Sequence, residues 1–378
     1  MCRTNKKLPM PMNKIISFDG NKDLRILIIK PSSLGDILHT FPAVSVIAER
    51  YPEARIDWLV NPAFASILKY HPDVENVIHF PRGELAAAKT FFPAFFSLCS
   101  KLRKNKYDIV IDFQGLFRSS FFAAVSGAAV RAGFAEPREK FSRFFYNFKM
   151  ELPDSHIHAI EKNVFLACAL TGLPFMVPET ALAVNEKCRR SLSDIMRGTN
   201  IEDSDICVGI APGARWESKR WPPEFFAEII RQSSAKFPSV KFLLIGSGED
   251  RETAEKILKL CGCGKEQVIS LAGRTGICEL TELLRRCSVI LTNDSGPMHI
   301  AAALHVPVLA LFGPTAPEKT GPYWREHRIF QAETDCIKCM KRYCSAGRVY
   351  DCHDKIKASE LSECIGEFLT KGMKYEQI

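Results

Sequence analysis

Short, nearly unbroken aliphatic runs separated by longer amphipathic stretches set the rhythm of this chain. The first run is Leu24-Arg25-Ile26-Leu27-Ile28-Ile29-Lys30, and its continuity predicts a strand covered on both faces. Runs of the same kind recur at 55–60, 76–80, 107–112 and 130–134. Helical periods lie between them, among them 37–50 and 98–105. The pattern then restarts, with runs at 206–211, 240–246, 267–271, 288–292 and 306–312 and helical stretches at 223–236, 250–261, 277–286 and 298–304. Strand and helix in alternation predict a parallel, doubly wound sheet. Two such sets predict an α/β chain of two Rossmann-like halves, a division that suits 378 residues.

Pro, Thr, Asn, Asp and Ser collect around one helix between 174 and 204, which marks the join. The expected organisation is a flexible extension over 1–23, a first domain over 24–180, a second over 181–335, and a Cys-rich loop with a C-terminal helix over 336–378. Ligands of open α/β sheets bind beyond the carboxyl ends of the strands. Two halves therefore predict a cleft lined by both sets of strand ends, and the chemistry belongs in the loops there.

Three of those loops stand out. After the first strand comes Lys30-Pro31-Ser32-Ser33-Leu34-Gly35-Asp36-Ile37-Leu38-His39. Ser32, Ser33 and Gly35 make a tight turn, and Asp36 sits at the mouth of the next helix. It is either a first-turn acid favoured by the helix dipole or a carboxylate aimed at a ligand as general base. The turn carries neither G-x-G-x-x-G nor G-x-x-x-x-G-K-[ST], so neither a dinucleotide fingerprint nor a P-loop is present. The second half opens with Gly209-Ile210-Ala211-Pro212-Gly213-Ala214, followed by Arg215, Lys219 and Arg220. Gly213 lets a ligand approach the backbone, and Lys219 with its neighbours offers positive charge to a phosphate. Asn293-Asp294-Ser295-Gly296-Pro297-Met298-His299 predicts a helix N-terminus open to an anion, with His299 on its first turn. Glu249 and Asp250 either suit ribose or sugar hydroxyls or only charge the helix start, and Thr315 lies on the rim formed by Gly313-Pro314-Thr315.

Composition narrows the classes. With 46% hydrophobic and 25% charged residues, the chain has the make-up of a soluble globular protein. A net charge of +8 suits an anionic partner, yet no basic stripe or RNA-binding aromatic motif points to nucleic acid. The most apolar stretches, 91–98 and 121–130, are too short to span a bilayer. Pro9 and Pro11 follow the charges Arg3, Lys6 and Lys7 where a signal peptide would have its apolar core. The fourteen cysteines are mostly scattered singly, as reduced thiols are. These features predict a cytoplasmic protein that touches a membrane at most peripherally.

Taken in order, the loops resemble those of the bacterial lipopolysaccharide heptosyltransferases, glycosyltransferase family 9, most closely the type that adds the first heptose. The carrying segments are Ile28 to Thr40, Asp112-Phe113-Gln114-Gly115-Leu116, Lys219-Arg220-Trp221-Pro222, Asn293 to His299 and Gly313-Pro314-Thr315. The resemblance implies a GT-B fold with an acceptor-binding first half and a donor-binding second half. It implies an ADP-heptose donor, a lipid A–Kdo acceptor at the inner face of the inner membrane, and an inverting displacement with Asp36 as catalytic base. It places Lys219, Asp294 and His299 around the donor diphosphate and sugar, with Ser295 and Gly296 in the same turn and Asp250, or else Glu249, near the nucleotide. Ser33, Gly35 and Gln114 fall on the acceptor side, where Arg82, Arg118 and Arg138 are further contacts. No Asp-x-Asp motif is read as one that would hold a divalent ion, so no cofactor is expected to be required.

Two features depart from the first-heptose type. One is the Arg215-Trp216 pair before Lys219. The other is a tail with Cys336, Cys339, Cys344, Cys352 and His353, whose alternatives are a zinc or iron–sulfur site and a loop of reduced thiols. The segment 137–148 places Phe141, Phe144, Phe145 and Phe148 on one helical face, expected to be core, with Arg138 contacting phosphate. Competing readings are a family 9 transferase of another sugar, a GT-B sugar-nucleotide epimerase, and a metal- or redox-sensing binding protein.

Overall fold

The computed structural model describes residues 24–154, 156–179, 182–324, 326–344, 352 and 355–375. The extension expected over 1–23 and His353 of the tail lie outside them. The chain divides into two compact units, Met1–Ala183 and Val184–Ile378.

In the first unit, β1 (Arg25–Ile29), β2 (Arg55–Val60), β3 (Asn76–His79), β4 (Ile109–Asp112), β5 (Val130–Phe134) and β6 (Phe148–Met150) form one sheet. Their order is β3-β2-β1-β4-β5-β6, and every pairing is parallel. Ile26, Leu27, Ile28 and Ile29 are all fully buried, so both faces of β1 are covered. The cover comes from α1 (Leu34–Leu38), α2 (Phe41–Arg50), α3 (Phe91–Lys104), α4 (Phe117–Val125) and α5 (Ala159–Thr171). The single helix expected over 37–50 is broken at His39-Thr40. There Asn163 of α5 donates to His39 O and Thr40 Oγ1, both at 3.1 Å, and Thr40 Oγ1 donates to Asp36 O at 2.8 Å. Side chains thus occupy the backbone groups a continuous helix would need, and Pro42 suits the start of α2.

A larger difference lies in 137–148. The expected helix is only a 3₁₀ turn, Lys140–Phe145, followed by β6. Tertiary bonds override the helical period: Glu139 N donates to Gly115 O, and the Arg131 guanidinium donates to Phe145 O. Phe148 becomes a buried strand residue, whereas Phe141 and Phe144 are 72% and 67% exposed and so are not core.

The second unit repeats the plan. Its sheet runs β12-β11-β10-β7-β8-β9, built from β7 (Cys207–Ala211), β8 (Lys241–Leu244), β9 (Val268–Ser270), β10 (Cys287–Asn293), β11 (Val308–Phe312) and β12 (His327–Gln331). Counted from β7, this is the strand order of the first sheet. Around it lie α6 (Glu186–Met196), α7 (Pro223–Lys236), α8 (Arg251–Cys261), α9 (Ile277–Arg285), α10 (Gly296–Ala303), α11 (Pro317–Thr320) and α12 (Ala358–Tyr375). The C-terminal helix α12 belongs to this unit's core: Leu361, Ile365 and Leu369 are buried with Ile229, Ile230 and Val240. Neither β6 nor β12 was expected, because a three-residue strand and a half-exposed edge strand carry little apolar signal. The scattered cysteines include one bonded pair. Cys188 of α6 and Cys278 of α9 form a disulfide with Cα atoms 5.5 Å apart, across 90 residues of sequence that hide the pairing.

Packing at Gly133 links the strand sequence to this fold. A Cβ there would lie 2.5 Å from the Tyr146 ring, so only a glycine lets that ring cross the sheet. Gly133→Ala is expected to destabilise the first unit by about 1–3 kcal/mol, read as a lowered unfolding midpoint; an unchanged midpoint would show that the ring has room to move.

Candidate active site

Where successive connections of a doubly wound sheet depart to opposite faces, a crevice opens at the carboxyl ends of two adjacent strands. In these two sheets the crevices lie between β1 and β4 and between β7 and β10. A buried side chain spans each one. Lys30 Nζ, just past β1, donates to Phe113 O just past β4 at 2.9 Å. Asn293 Nδ2, at the end of β10, donates to Pro212 O just past β7 at 2.7 Å. Neither residue was singled out in the sequence. Their signal is a polar residue closing a strand whose central positions are aliphatic.

At the first crevice, Asp36 occupies the third position of α1. Its Oδ2 accepts from the Ser33 amide at 2.9 Å and the Ser33 hydroxyl at 2.7 Å, so both bonds run from the N-cap serine to the acid of the first turn. The bland reading of Asp36 is therefore realised. Yet the side chain is 43% exposed, and Oδ1 lies 4.0 Å from Lys30 Nζ. One oxygen holds the turn while the other lies toward the Lys30 ammonium. Lys162 of α5 adds to the cationic surroundings: burial first, then the Lys30 charge, lowers its pKa.

Asp112 organises the other lip. It is fully buried; Oδ2 accepts from Tyr146 at 2.6 Å and Ser119 at 2.7 Å, and Oδ1 from the amides of Gln114 at 2.8 Å and Gly115 at 3.2 Å. Burial nonetheless pushes its carboxyl above the ordinary range, and these hydrogen bonds oppose that shift. Gly115 has φ of +66°, and a Cβ there would meet Arg138 N at 3.2 Å. The Asp112 loop thereby carries the segment bearing Arg138. Gln114 Oε1 is buried without a hydrogen-bond partner, a position suited to a ligand donor. Arg118 is exposed on the first turn of α4, and Arg82 is exposed after β3, which β2 separates from the crevice.

The second crevice contains the same local device. Asp250 Oδ2 accepts from the Ser247 amide and hydroxyl, both at 2.8 Å, matching Ser33 and Asp36 in spacing and geometry. Here, however, the acid is buried, because glycines admit it: a Cβ at Gly213 would stand 2.4 Å from Asp250 Oδ1, and one at Gly246 2.7 Å from its Cβ. Glu249 beside it is exposed. Asp250 is thus the acid at the strand ends, pressed against the backbone of the β7 loop.

Lys219, expected to offer charge to a phosphate, is held by a carboxylate. Its Nζ donates to Asp294 Oδ2 at 2.6 Å, with side-chain exposures of 16% and 6%, and Thr315 Oγ1 donates to the same oxygen at 2.6 Å. The ammonium also lies 4.8 Å from the Trp216 ring centroid. An ammonium has three donors, so this pair orients Lys219 without exhausting it. Ser295 occupies the N-cap position of α10 but makes no side-chain cap bond; its hydroxyl meets Thr292 Oγ1 at 3.2 Å. Pro297 lies in the first turn, Gly296 keeps the approach open, and His299 is half-buried on the same turn. The cluster sits where an anion would meet the helix N-terminus.

The sequence model of glycosyltransferase family 9 (heptosyltransferase) matches residues 95–375. The chain belongs to this family. It is 30% identical over 331 residues to lipopolysaccharide heptosyltransferase 1 of Pseudomonas aeruginosa, covering 85% of this chain and 88% of that one. It is 27% identical over 326 residues to lipopolysaccharide heptosyltransferase 2 of Escherichia coli, covering 84% and 91%. The structure of E. coli ADP-heptose LPS heptosyltransferase II superposes with a TM-score of 0.75 and 25% identity, over 93% of this chain and all of that one. The paired Rossmann-like units are those of the GT-B class, and the protein is a glycosyltransferase of the lipopolysaccharide-core heptosyltransferase family.

Two sequence features lie off this site. Asp203-Ser204-Asp205 is an Asp-x-Asp triplet, but it precedes β7 at the opposite end of the strand, where Asp203 pairs with Arg286 and Asp205 accepts from Glu202 N. In the tail, Cys336, Cys339 and Cys344 are exposed and Cys352 is half-buried. Burial first, then the nearby thiols, pushes Cys352 up to about 11. Among the described residues no three His, Cys, Asp or Glu side chains are grouped to hold a metal ion. The tail does touch the loops after β7 and β11: Met340 N donates to Pro314 O, Arg342 O accepts from Ser218 N, and Lys341 O accepts from Ser218 Oγ.

A double-mutant cycle tests the Lys219–Asp294 pair. Lys219→Met alone strands a buried carboxylate and is expected to cost about 3–5 kcal/mol, most of it recovered when Asp294→Leu is added. Additive losses in chemical denaturation would show that the two groups do not depend on each other.

Proposed function

We propose that this glycosyltransferase moves L-glycero-D-manno-heptose from ADP-heptose to the Kdo-bearing inner core of lipid A, with inversion at the anomeric carbon. Asp36 takes the proton of the acceptor hydroxyl as that oxygen attacks C1. The C1–O bond to the diphosphate breaks with its electron pair leaving on ADP. The observation that carries this reading is the contrast between two acids held alike. Asp250 is sealed by glycine backbones, whereas the Asp36 side chain is 43% exposed at a switch point beside Lys30.

The leaving diphosphate gains charge as the bond weakens. Lys219, oriented by Asp294, and the N-terminus of α10 with His299 would stabilise it. Asp250, at the ends of β7 and β8, suits the ribose hydroxyls. On the acceptor side, Arg138 beside Gly115, with Arg118 and Arg82, supplies cations for an anionic core, and Gln114 a carbonyl acceptor. The E. coli relative is an ADP-heptose LPS heptosyltransferase, which supports the donor. The lipid acceptor supports a place at the cytoplasmic face of the membrane; no described helix is long and apolar enough to cross it.

Asp36→Asn keeps an oxygen for Ser33 and removes the basicity. It is expected to lower kcat by roughly 10²–10⁴ with ADP affinity unchanged, measured by product mass spectrometry from ADP-heptose and truncated lipid A cores. Near-normal turnover would leave Asp36 as a cap only. Asp250→Asn should behave oppositely, weakening donor affinity with little loss of kcat. ADP-heptose consumed without acceptor would instead mark an epimerase.

A further inference from the structure

The first unit wears a feature that sugar transfer does not use. Helix α3 buries Ala94, Leu98 and Leu102 but turns Phe91, Phe92 and Phe96 outward, the last two 64% exposed. Phe117 of α4 is 49% exposed, and Phe141 and Phe144 extend from the 3₁₀ turn. These rings form a strip across three elements. Phe92 stacks with Phe96 at 6.4 Å, Phe91 with Phe95 at 5.6 Å, Phe95 meets Phe121 at 5.8 Å, and Phe121 meets Phe117 at 6.5 Å and Phe145 at 6.2 Å. Phe141 and Phe144 pair at 6.3 Å. Exposed phenylalanines gathered into one patch mark an interaction surface.

Charge identifies the partner. Residues 81–150 hold twelve Lys and Arg against five Asp and Glu, a net +7 of the chain's +8, and Asp112 among the acids is fully buried. Lys89, Lys101, Arg103, Lys104, Lys140 and Arg143 are exposed on the elements that bear the rings, and the Arg143 guanidinium lies 5.1 Å from the Phe144 ring. A second copy docking here would bring like charges together.

We propose that this face docks the protein on an anionic lipid bilayer, with Phe92, Phe96, Phe141 and Phe144 entering the interface and the surrounding cations meeting lipid phosphates. Its purpose, presenting a lipid-borne acceptor, rests on the function proposed above, but the docking itself requires no sugar chemistry. Flotation with vesicles of phosphatidylcholine alone and of phosphatidylcholine with phosphatidylglycerol, both free of lipid A, tests it. The full chain should bind the anionic vesicles and leave the neutral ones largely unbound. Phe92→Ser/Phe96→Ser and Phe141→Ser/Phe144→Ser should each weaken that binding by about tenfold or more, since burying one such ring is worth 1.5–3 kcal/mol. Their unfolding midpoints and turnover of a short, lipid-free acceptor should stay unchanged. Equal binding to both vesicles, anionic binding that survives both double variants, or a concentration-dependent dimer lost in those variants would overturn the proposal.

Discussion

Each sheet has one place where the chain can hold polar chemistry beside an aliphatic core, and a single side-chain bond keeps it in register. Lys30 reaches from the end of β1 to Phe113 O, and Asn293 reaches from the end of β10 to Pro212 O. Both bonds cross the gap that opens where successive connections leave for opposite faces of the sheet. A buried donor of this kind must be satisfied, so each bond sets the spacing of two loops that the ladder no longer holds. Asp36 and Gln114 at one gap, and Gly213, Lys219 and Asp294 at the other, inherit positions from that constraint.

The two acids in Ser-x-x-Asp turns show how one local device gives two outcomes. Asp36 and Asp250 make the same pair of bonds to the serine three residues earlier. What differs is the opposing backbone. Gly213 and Gly246 close on Asp250, so it is a rigid acceptor at the strand ends. Asp36 has Lys30 4.0 Å from one oxygen and a side chain that is 43% exposed, so no backbone closes over it as over Asp250. The Lys219–Asp294–Thr315 group adds a third arrangement, in which a cation is aimed by a buried carboxylate.

The aromatic face belongs to a different layer of the molecule. Its rings lie on the outer sides of α3 and α4 and on the 3₁₀ turn, whose inner sides complete the first unit's core. The same helices therefore serve packing with one side and a lipid surface with the other, and the segment that carries them, residues 81–150, holds a net +7 of the chain's +8.

By itself, the sequence determined the two doubly wound sheets and the loops that carry the chemistry. Central parallel strands are buried on both faces and must be aliphatic, and Gly, Pro, Ser and Asp at their ends mark turns that tolerate a ligand. The loop motifs were legible for the same reason, including Asp36 and Asp294. Only the tertiary structure decided what those residues touch. The pairing of Lys219 with Asp294, the sealing of Asp250, the bond between Cys188 and Cys278, and the short edge strands β6 and β12 join segments far apart in the chain. The Phe141–Phe148 period pointed to a buried helical face, but Glu139, Arg131 and Tyr146 tie that segment to other strands and loops and turn two of its rings to solvent. A helical period records only local spacing, and contacts made by distant segments determine which side is covered.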